Sequence, residues 1–205
     1  MRDITKQLKQ VWEFHQAFNV DQSDEMRIGS QDKRILRLNL FAEELGEFTK
    51  GTYENNKVEQ LDGVIDIIYI LCGSVQYHGL TQLFNTFLQG EHDTPNKTIV
   101  SYPIEFGLIL KEGNAEKKYL YGSITLSELL QLHIQLMATA LRLYNKLEST
   151  GVVKPDSFVA AFDEVHNSNM SKLDSAGNPI FRADGKVLKS DQYFKPNLNQ
   201  FINNK

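Results

Sequence analysis

Apolar side chains recur at helical spacing in most of the chain and predict where its helices lie. Amphipathic stretches predict helices over residues 4–18, 32–52, 125–149 and 156–171. The stretch 58–78 differs because residues 61–75 are apolar on nearly every side, which predicts a central and buried helix. "TLSE" at residues 125–128 matches a capping box and marks a helix start. The pattern predicts an all-α helical bundle.

Two parts of the chain depart from this helical pattern. Residues 81–155 change character, with a loop expected at 89–103 and a stretch compatible with short strands at 104–122. Turn signals at Gly177-Asn178-Pro179 and Asp184-Gly185 predict a small β-hairpin at residues 179–189. We interpret residues 1–205 as one domain, in which residues 81–155 are an insertion or an extra helical layer.

Length, composition and charge restrict the class of protein. A chain of 205 residues with 41% hydrophobic content can bury a sizeable core. It has no apolar run of 18 residues and no hydrophobic start, so we expect neither a membrane span nor a signal peptide. The single Cys72 favours a reducing, cytoplasmic setting. Residues 1–80 hold 13 acidic against 9 basic side chains, which argues against stable nucleic-acid binding.

Two of the predicted helices carry acids on one face. In the helix at 32–52, the acids lie opposite the apolar face, and alone they are most simply interpreted as a solvated surface. In the helix at 58–78, the acids share a stripe of an otherwise apolar surface. The acids are Glu43, Glu44 and Glu47 in the first helix, and Asp62 and Asp66, with Glu59 nearby, in the second.

Asp66 is the acid that requires an explanation, because a buried carboxylate without a partner is unfavourable by several kcal/mol. No Lys or Arg lies between Lys57 and Lys97 to compensate it. If the two helices pack antiparallel, five carboxylates converge, and all-oxygen ligands select Mg²⁺ or Mn²⁺. A di-iron bundle is disfavoured because no His follows a Glu by three positions, and only Asp163 and His166 come close. The sequence therefore predicts a magnesium site.

A Mg²⁺ ion held by protein carboxylates is typically completed by substrate phosphates. The C-terminal segment supplies positive charge for such a substrate, together with one neutral donor. An ordinary solvated hairpin is the alternative interpretation of these residues. The candidates are Lys172, Arg182, Lys186, Lys189 and Lys195, with Asn169 as the neutral donor.

Four motifs in this order resemble a known superfamily: "EELGE", "LDGVIDIIYILCG", "FDEVHNSNMSKL" and "RADGKVLK". The chain resembles the all-α nucleoside triphosphate pyrophosphohydrolases, which include MazG-like proteins, phosphoribosyl-ATP pyrophosphohydrolases and dimeric dUTPases. The resemblance covers roughly residues 5–80 and 156–196. It implies a MazG-like helical fold and Mg²⁺-dependent hydrolysis of a nucleotide, with a dNTP as the expected substrate, to a monophosphate and pyrophosphate. A non-catalytic helical binding or regulatory module that retains the fold is the alternative.

The resemblance also assigns roles to individual residues. Its EExxE element falls on Glu43, Glu44 and Glu47, as metal ligands of which one takes a proton from water. Its ExxD element places the Asp at Asp66, but the Glu of that element falls on Gly63. Asp62 is the nearest substitute, although Glu59 to Asp62 also spells ExxD and the register stays open. The phosphate contacts are expected from Asn169, Lys172, Lys186 and Lys189.

A homodimer is expected on two grounds. The helix at 58–78 is apolar all round, and a chain of this size has few other helices to cover it. The resemblance to dimeric relatives points the same way.

Overall fold

The structure, a computed structural model, describes residues 2–89 and 102–203, and it is built from α-helices. Two short 3₁₀ turns, Glu112–Asn114 and Leu198–Phe201, are added to them. The predicted all-α fold is confirmed. Over the described ranges, no helix is both long enough and apolar enough to cross a membrane. The helices are α1 Thr5–Ala17, α2 Gln31–Tyr53, α3 Lys57–Tyr77, α4 Thr81–Gln89, α5 Tyr102–Lys111, α6 Ala115–Tyr121, α7 Leu126–Ser149 and α8 Phe158–Met170.

Side-chain caps fix the starts of α3 and α7. The carboxylate of Glu128 accepts from the backbone N–H of Thr125 at 2.9 Å, and the hydroxyl of Thr125 accepts from the N–H of Glu128 at 3.2 Å, which confirms the predicted capping box. The side-chain oxygen of Asn56 accepts from the N–H groups of Val58 and Glu59. Only three residues separate the end of α2 from the start of α3, and the two helices are neighbours.

α3 lies at the centre of the fold, as its apolar pattern predicts. It packs against α1, α2, α7 and α8, and residues such as Leu61, Ile65 and Ile68 are fully buried. α7 contributes Leu129 and Met137, both fully buried, to the same core. The chain itself therefore covers α3, and one ground for expecting a homodimer, the shortage of covering helices, is wrong. The dimer itself stays a prediction.

Two local predictions are corrected by the structure. Residues 104–122 form α5, a 3₁₀ turn and α6 instead of strands, because a short apolar run does not distinguish a strand from a buried helix. The β-hairpin expected at 179–189 is only a turn with one isolated antiparallel bridge between Phe181 and Val187. No third strand pairs with it in the described part of the chain, so the ladder does not extend. Of the loop expected at 89–103, residues 90–101 lie outside the described residues.

The contact between α2 and α3 is unusually close at two levels. A Cβ atom added to Gly63 would lie 2.9 Å from the Cβ of Phe48 and 3.0 Å from its backbone nitrogen. A Cβ on Gly51 would lie 2.8 Å from the Cβ of Glu59. The two helices therefore touch almost backbone to backbone, which places their neighbouring side chains together.

We expect Gly63→Ala to lower the free energy of unfolding by about 1–3 kcal/mol, because the new methyl group would force α2 and α3 apart. Urea denaturation followed by circular dichroism measures the effect. Gly46→Ala is the matched control, since nothing lies within 4 Å of a Cβ there. It should raise the stability by about 0.5–1 kcal/mol through helix propensity. Equal effects of the two substitutions would contradict the close contact.

Candidate active site

The acidic faces of α2 and α3 border one cavity of about 770 Å³. The structure brings together every acid that the sequence singled out, including Glu59, although the two groups lie on different helices. The packing of consecutive helices thus produces the convergence that was predicted. The acids that line this acidic cavity are Glu43, Glu44, Glu47, Glu54, Glu59, Asp62 and Asp66.

These carboxylates lie close enough to affect one another. Burial, together with the negative charges of Asp66 and Glu47, raises the pKa of Glu44 to about 9. Burial and the charge of Asp62 raise the pKa of Asp66 to about 7. The pKa of Asp62 rises to about 6 through burial and the neighbouring Glu59. At neutral pH the cluster therefore favours bound protons or a bound cation.

The C-terminal segment folds back over the acids and brings basic groups to them. Lys186 forms an ion pair with Glu43 at 2.5 Å. Lys172 donates to the side-chain oxygen of Asn169; burial lowers the pKa of Lys172, and the charge of Asp66 opposes that shift. The ammonium group of Lys189 lies 4.5 Å from the centre of the Tyr193 ring. On this side the acidic cavity is lined by Asn169 of α8 and by residues of the segment that follows α8, which include Lys172, Lys186, Lys189, Tyr193 and Lys195.

Arg182 does not share this position. Its guanidinium group donates to both carboxylate oxygens of Asp184, at 2.9 and 2.6 Å, on the exposed surface. Arg182 does not line the acidic cavity. The expectation that Arg182 supplies positive charge to the acidic cavity is not supported, because Asp184, in the same turn, is already its ion-pair partner.

Hydrogen bonds to the end of α8 hold the C-terminal segment in place. The hydroxyl of Ser168 donates to the carbonyl of Phe194 at 2.8 Å, and the N–H of Phe194 donates to the hydroxyl of Ser171 at 3.1 Å. Farther along, the hydroxyl of Ser190 donates to the carbonyl of Leu173 at 2.7 Å. The small polar residues of "SNMSKL" thus attach the lysine-bearing segment to the helix that carries Asn169.

The donor set suits a hard divalent cation in its chemistry. All candidate ligands are carboxylates, and burial, followed by the charges of neighbouring acids, raises the pKa of Glu44 and of Asp66, a cost that a bound cation would reduce. Within residues 2–89 and 102–203, however, no three His, Cys, Asp or Glu side chains are gathered closely enough to hold a metal ion. One of the candidate ligands, Glu43, is already paired with Lys186. The magnesium site stays a prediction.

The structure explains why Gly63 departs from the ExxD pattern. The backbone of Phe48 occupies the space into which a side chain at position 63 would project. Asp62 and Glu59 both border the acidic cavity instead. Which of the two takes the place of the Glu in the ExxD element stays open.

A second cavity, of about 410 Å³, adjoins the first and was not predicted from the sequence. The two cavities share Glu44, Asp66 and Lys172 among their lining residues. Arg37 lines only the second cavity. It lies seven residues before Glu44, and therefore on the same face of α2. This spacing is the signal that could have identified it from the sequence.

The comparison with protein families agrees with this geometry. Residues 11–87 match the family model described as phosphoribosyl-ATP pyrophosphohydrolase. That family belongs to the MazG-like nucleoside triphosphate pyrophosphohydrolase superfamily, so the resemblance predicted from the motifs is confirmed. The matched segment contains all the acids of the cluster, and the match supports pyrophosphohydrolase activity on a nucleotide. No curated protein and no solved structure was found that matches the chain.

The raised pKa values predict how stability depends on pH. Because the folded cluster binds protons more tightly than the unfolded chain, the metal-free protein should lose stability as pH rises from about 4 to about 9. Glu44→Gln should raise the Tm at pH 8 by a few degrees, for a gain of roughly 1 kcal/mol, and should change it little at pH 4. Differential scanning calorimetry in EDTA measures both values.

Glu116→Gln is the control for this experiment, because Glu116 is exposed on α6 and does not line the acidic cavity. It should leave the pH dependence of the Tm unchanged. A Glu44→Gln variant whose Tm follows the wild-type curve at every pH would show that the acids do not interact.

Proposed function

We propose that this protein is a Mg²⁺-dependent nucleotide pyrophosphohydrolase that converts a nucleoside triphosphate, with a dNTP as the expected substrate, to a monophosphate and pyrophosphate. The observation that carries the proposal is one cavity lined both by the five predicted carboxylate ligands of α2 and α3 and by the three lysines predicted to contact phosphate, Lys172, Lys186 and Lys189. The family match to residues 11–87 supports the same reaction class.

The acids have two roles in this proposal. Glu43, Glu44, Glu47, Asp62 and Asp66 are the candidate ligands for Mg²⁺ (or Mn²⁺). When bound, the cation supplies Lewis-acid chemistry and neutralises charge on the phosphates. One of the three glutamates accepts the proton of the attacking water, as a general base within hydrogen-bonding distance.

The basic residues bind the polyphosphate and stabilise negative charge on the leaving pyrophosphate. Lys172 is the most enclosed of the three lysines, between Asp66, Glu44 and Asn169. Lys186 must exchange its ion pair with Glu43 for a phosphate oxygen when substrate enters. This exchange releases Glu43 to act as a ligand, so substrate and metal binding support each other.

Asp66→Asn and Glu47→Gln should each abolish pyrophosphate release, because each removes a candidate metal ligand with little change in volume. The Tm in EDTA should hold or rise, since a carboxylate in a repelling cluster is removed. The assay measures pyrophosphate from a panel of standard and damaged dNTPs and from phosphoribosyl-ATP, with Mg²⁺.

Near-normal turnover in both variants would end the metal-site interpretation. If the wild-type protein hydrolyses none of these nucleotides and binds no Mg²⁺ in calorimetry, the non-catalytic binding or regulatory module is the better description.

Changing Lys172, Lys186 or Lys189 singly to Met should lower kcat/KM by about tenfold to a thousandfold, as expected for one lost charged contact of about 1.5–3 kcal/mol. Metal affinity without nucleotide should not fall, because lysines are not ligands, and Lys186→Met should increase it, because Glu43 then loses its ion pair. Lys117→Met is the control, since Lys117 is exposed on α6 and does not border the acidic cavity. If all three variants stay within twofold of wild type, the lysines do not contact phosphate.

The proposal keeps the homodimer and the cytoplasmic setting that the sequence predicts. The resemblance to dimeric relatives supports the first. The single Cys72, which lies buried in α3, supports the second.

A further inference from the structure

The second cavity, defined above by its 410 Å³ volume, contains a charged group without a partner. Over the described residues, the guanidinium group of Arg37 donates no hydrogen bond and forms no ion pair. It lies 4.6 Å from the centre of the Tyr77 ring. The nearby Asp21 forms its ion pair with Arg27, at 2.7 Å, and acts on Arg37 only through its charge. A half-buried guanidinium with unused donors is unfavourable unless a ligand completes it.

His15 provides a second, independent observation on the same wall. Its side chain is only 4% exposed and lines the cavity, and its Nδ1 atom has no hydrogen-bond partner. Burial and the charge of Arg37 lower the pKa of His15 to about 3, so the imidazole is neutral and presents one donor and one acceptor. A buried and unpartnered polar atom in a cavity wall is available to hydrogen-bond a bound ligand.

Gly73 brings these two side chains together. A Cβ atom at this position would lie 2.9 Å from Nε2 of His15 and 3.3 Å from Nη1 of Arg37. The absence of a side chain at residue 73 therefore leaves room for both nitrogen groups on one wall. Phe14, Tyr69 and Ile70 give the cavity apolar and aromatic surface, which suits a flat ring better than a phosphate group.

We propose that this second cavity binds the base of the substrate, and that Arg37 selects bases with a carbonyl group at pyrimidine position 4 or purine position 6. The proposal rests on the function proposed above, because the polyphosphate must extend into the adjoining acidic cavity. Arginine has only donors, so it pairs with the carbonyl oxygen of uracil, thymine or guanine. The exocyclic amino group of cytosine or adenine is itself a hydrogen-bond donor, so at this position it would face the donors of the Arg37 guanidinium.

The experiment compares kcat/KM for dUTP, dTTP and dGTP with the values for dCTP and dATP. Wild type should favour the carbonyl bases by at least tenfold. Arg37→Met should remove most of that preference, chiefly by slowing the carbonyl substrates. Arg37→Gln should shift the preference toward dATP, because a glutamine amide can both donate to and accept from adenine.

Arg2→Met is the matched control. The Arg2 guanidinium also lies over a tyrosine ring, 5.1 Å from the centre of Tyr144, but it is paired with Glu148 and lines neither cavity. The base preference of this control variant should equal that of the wild-type protein. A uniform loss for all five nucleotides in Arg37→Met, or a wild-type protein without base preference, would overturn the proposal. A uniform loss would indicate contact with the sugar or a phosphate.

Binding to the unaltered protein separates this proposal from the proposed function. The α,β-imido analogues of dUTP and dCTP cannot release pyrophosphate, and their affinities are measured by calorimetry with Mg²⁺. Tighter binding of the dUTP analogue, by tenfold or more, supports base selection even if no nucleotide is hydrolysed. Equal affinities would overturn base selection even if hydrolysis is observed.

Discussion

A Cβ atom on Gly51 or Gly63 would come within 3 Å of the facing helix, and this backbone contact between α2 and α3 determines where the acids lie. Glu47 precedes Phe48, the residue that covers Gly63, and Asp62 precedes Gly63 itself. The two carboxylates are therefore carried to the same cavity by the glycine contact. Their mutual charge opposes that arrangement, so packing of the apolar faces, and not attraction, assembles the site.

The same contact creates a charge imbalance that the rest of the chain partly corrects. α3 offers no basic residue after Lys57, so compensation must come from elements distant in sequence. The C-terminal segment supplies it with Lys172 and Lys186, attached to α8 through serine hydroxyls. The pKa of Glu44 stays raised even with these lysines present, first through burial and then through the charges of the neighbouring acids, so the lysines compensate the acids only in part. The remaining negative charge is what a divalent cation with a nucleotide would meet.

The spacing of apolar residues was sufficient to predict the longest helices. It was also sufficient to predict that the acids converge, because only a short turn separates α2 from α3. It was insufficient at residues 104–122, where an apolar run fits a strand or a helix equally well. Arg37 and His15 were missed for a different reason. Their importance lies in partners that they lack, and an unsatisfied group becomes visible only when every neighbour is placed.

Helical geometry links the two cavities. In α2, Arg37 and Glu44 are seven residues apart, and in α3, Asp66 and Gly73 have the same separation, so each pair lies on one helical face. The part of these faces that carries Glu44 and Asp66 borders the lysines of the acidic cavity. The part that carries Arg37 and Gly73 borders the aromatic second cavity, which holds the unpaired guanidinium. Lys186 borders both cavities. If the second cavity binds the base as proposed, the base would adjoin the lysine whose release frees Glu43, and this lysine would couple base recognition to assembly of the acidic site.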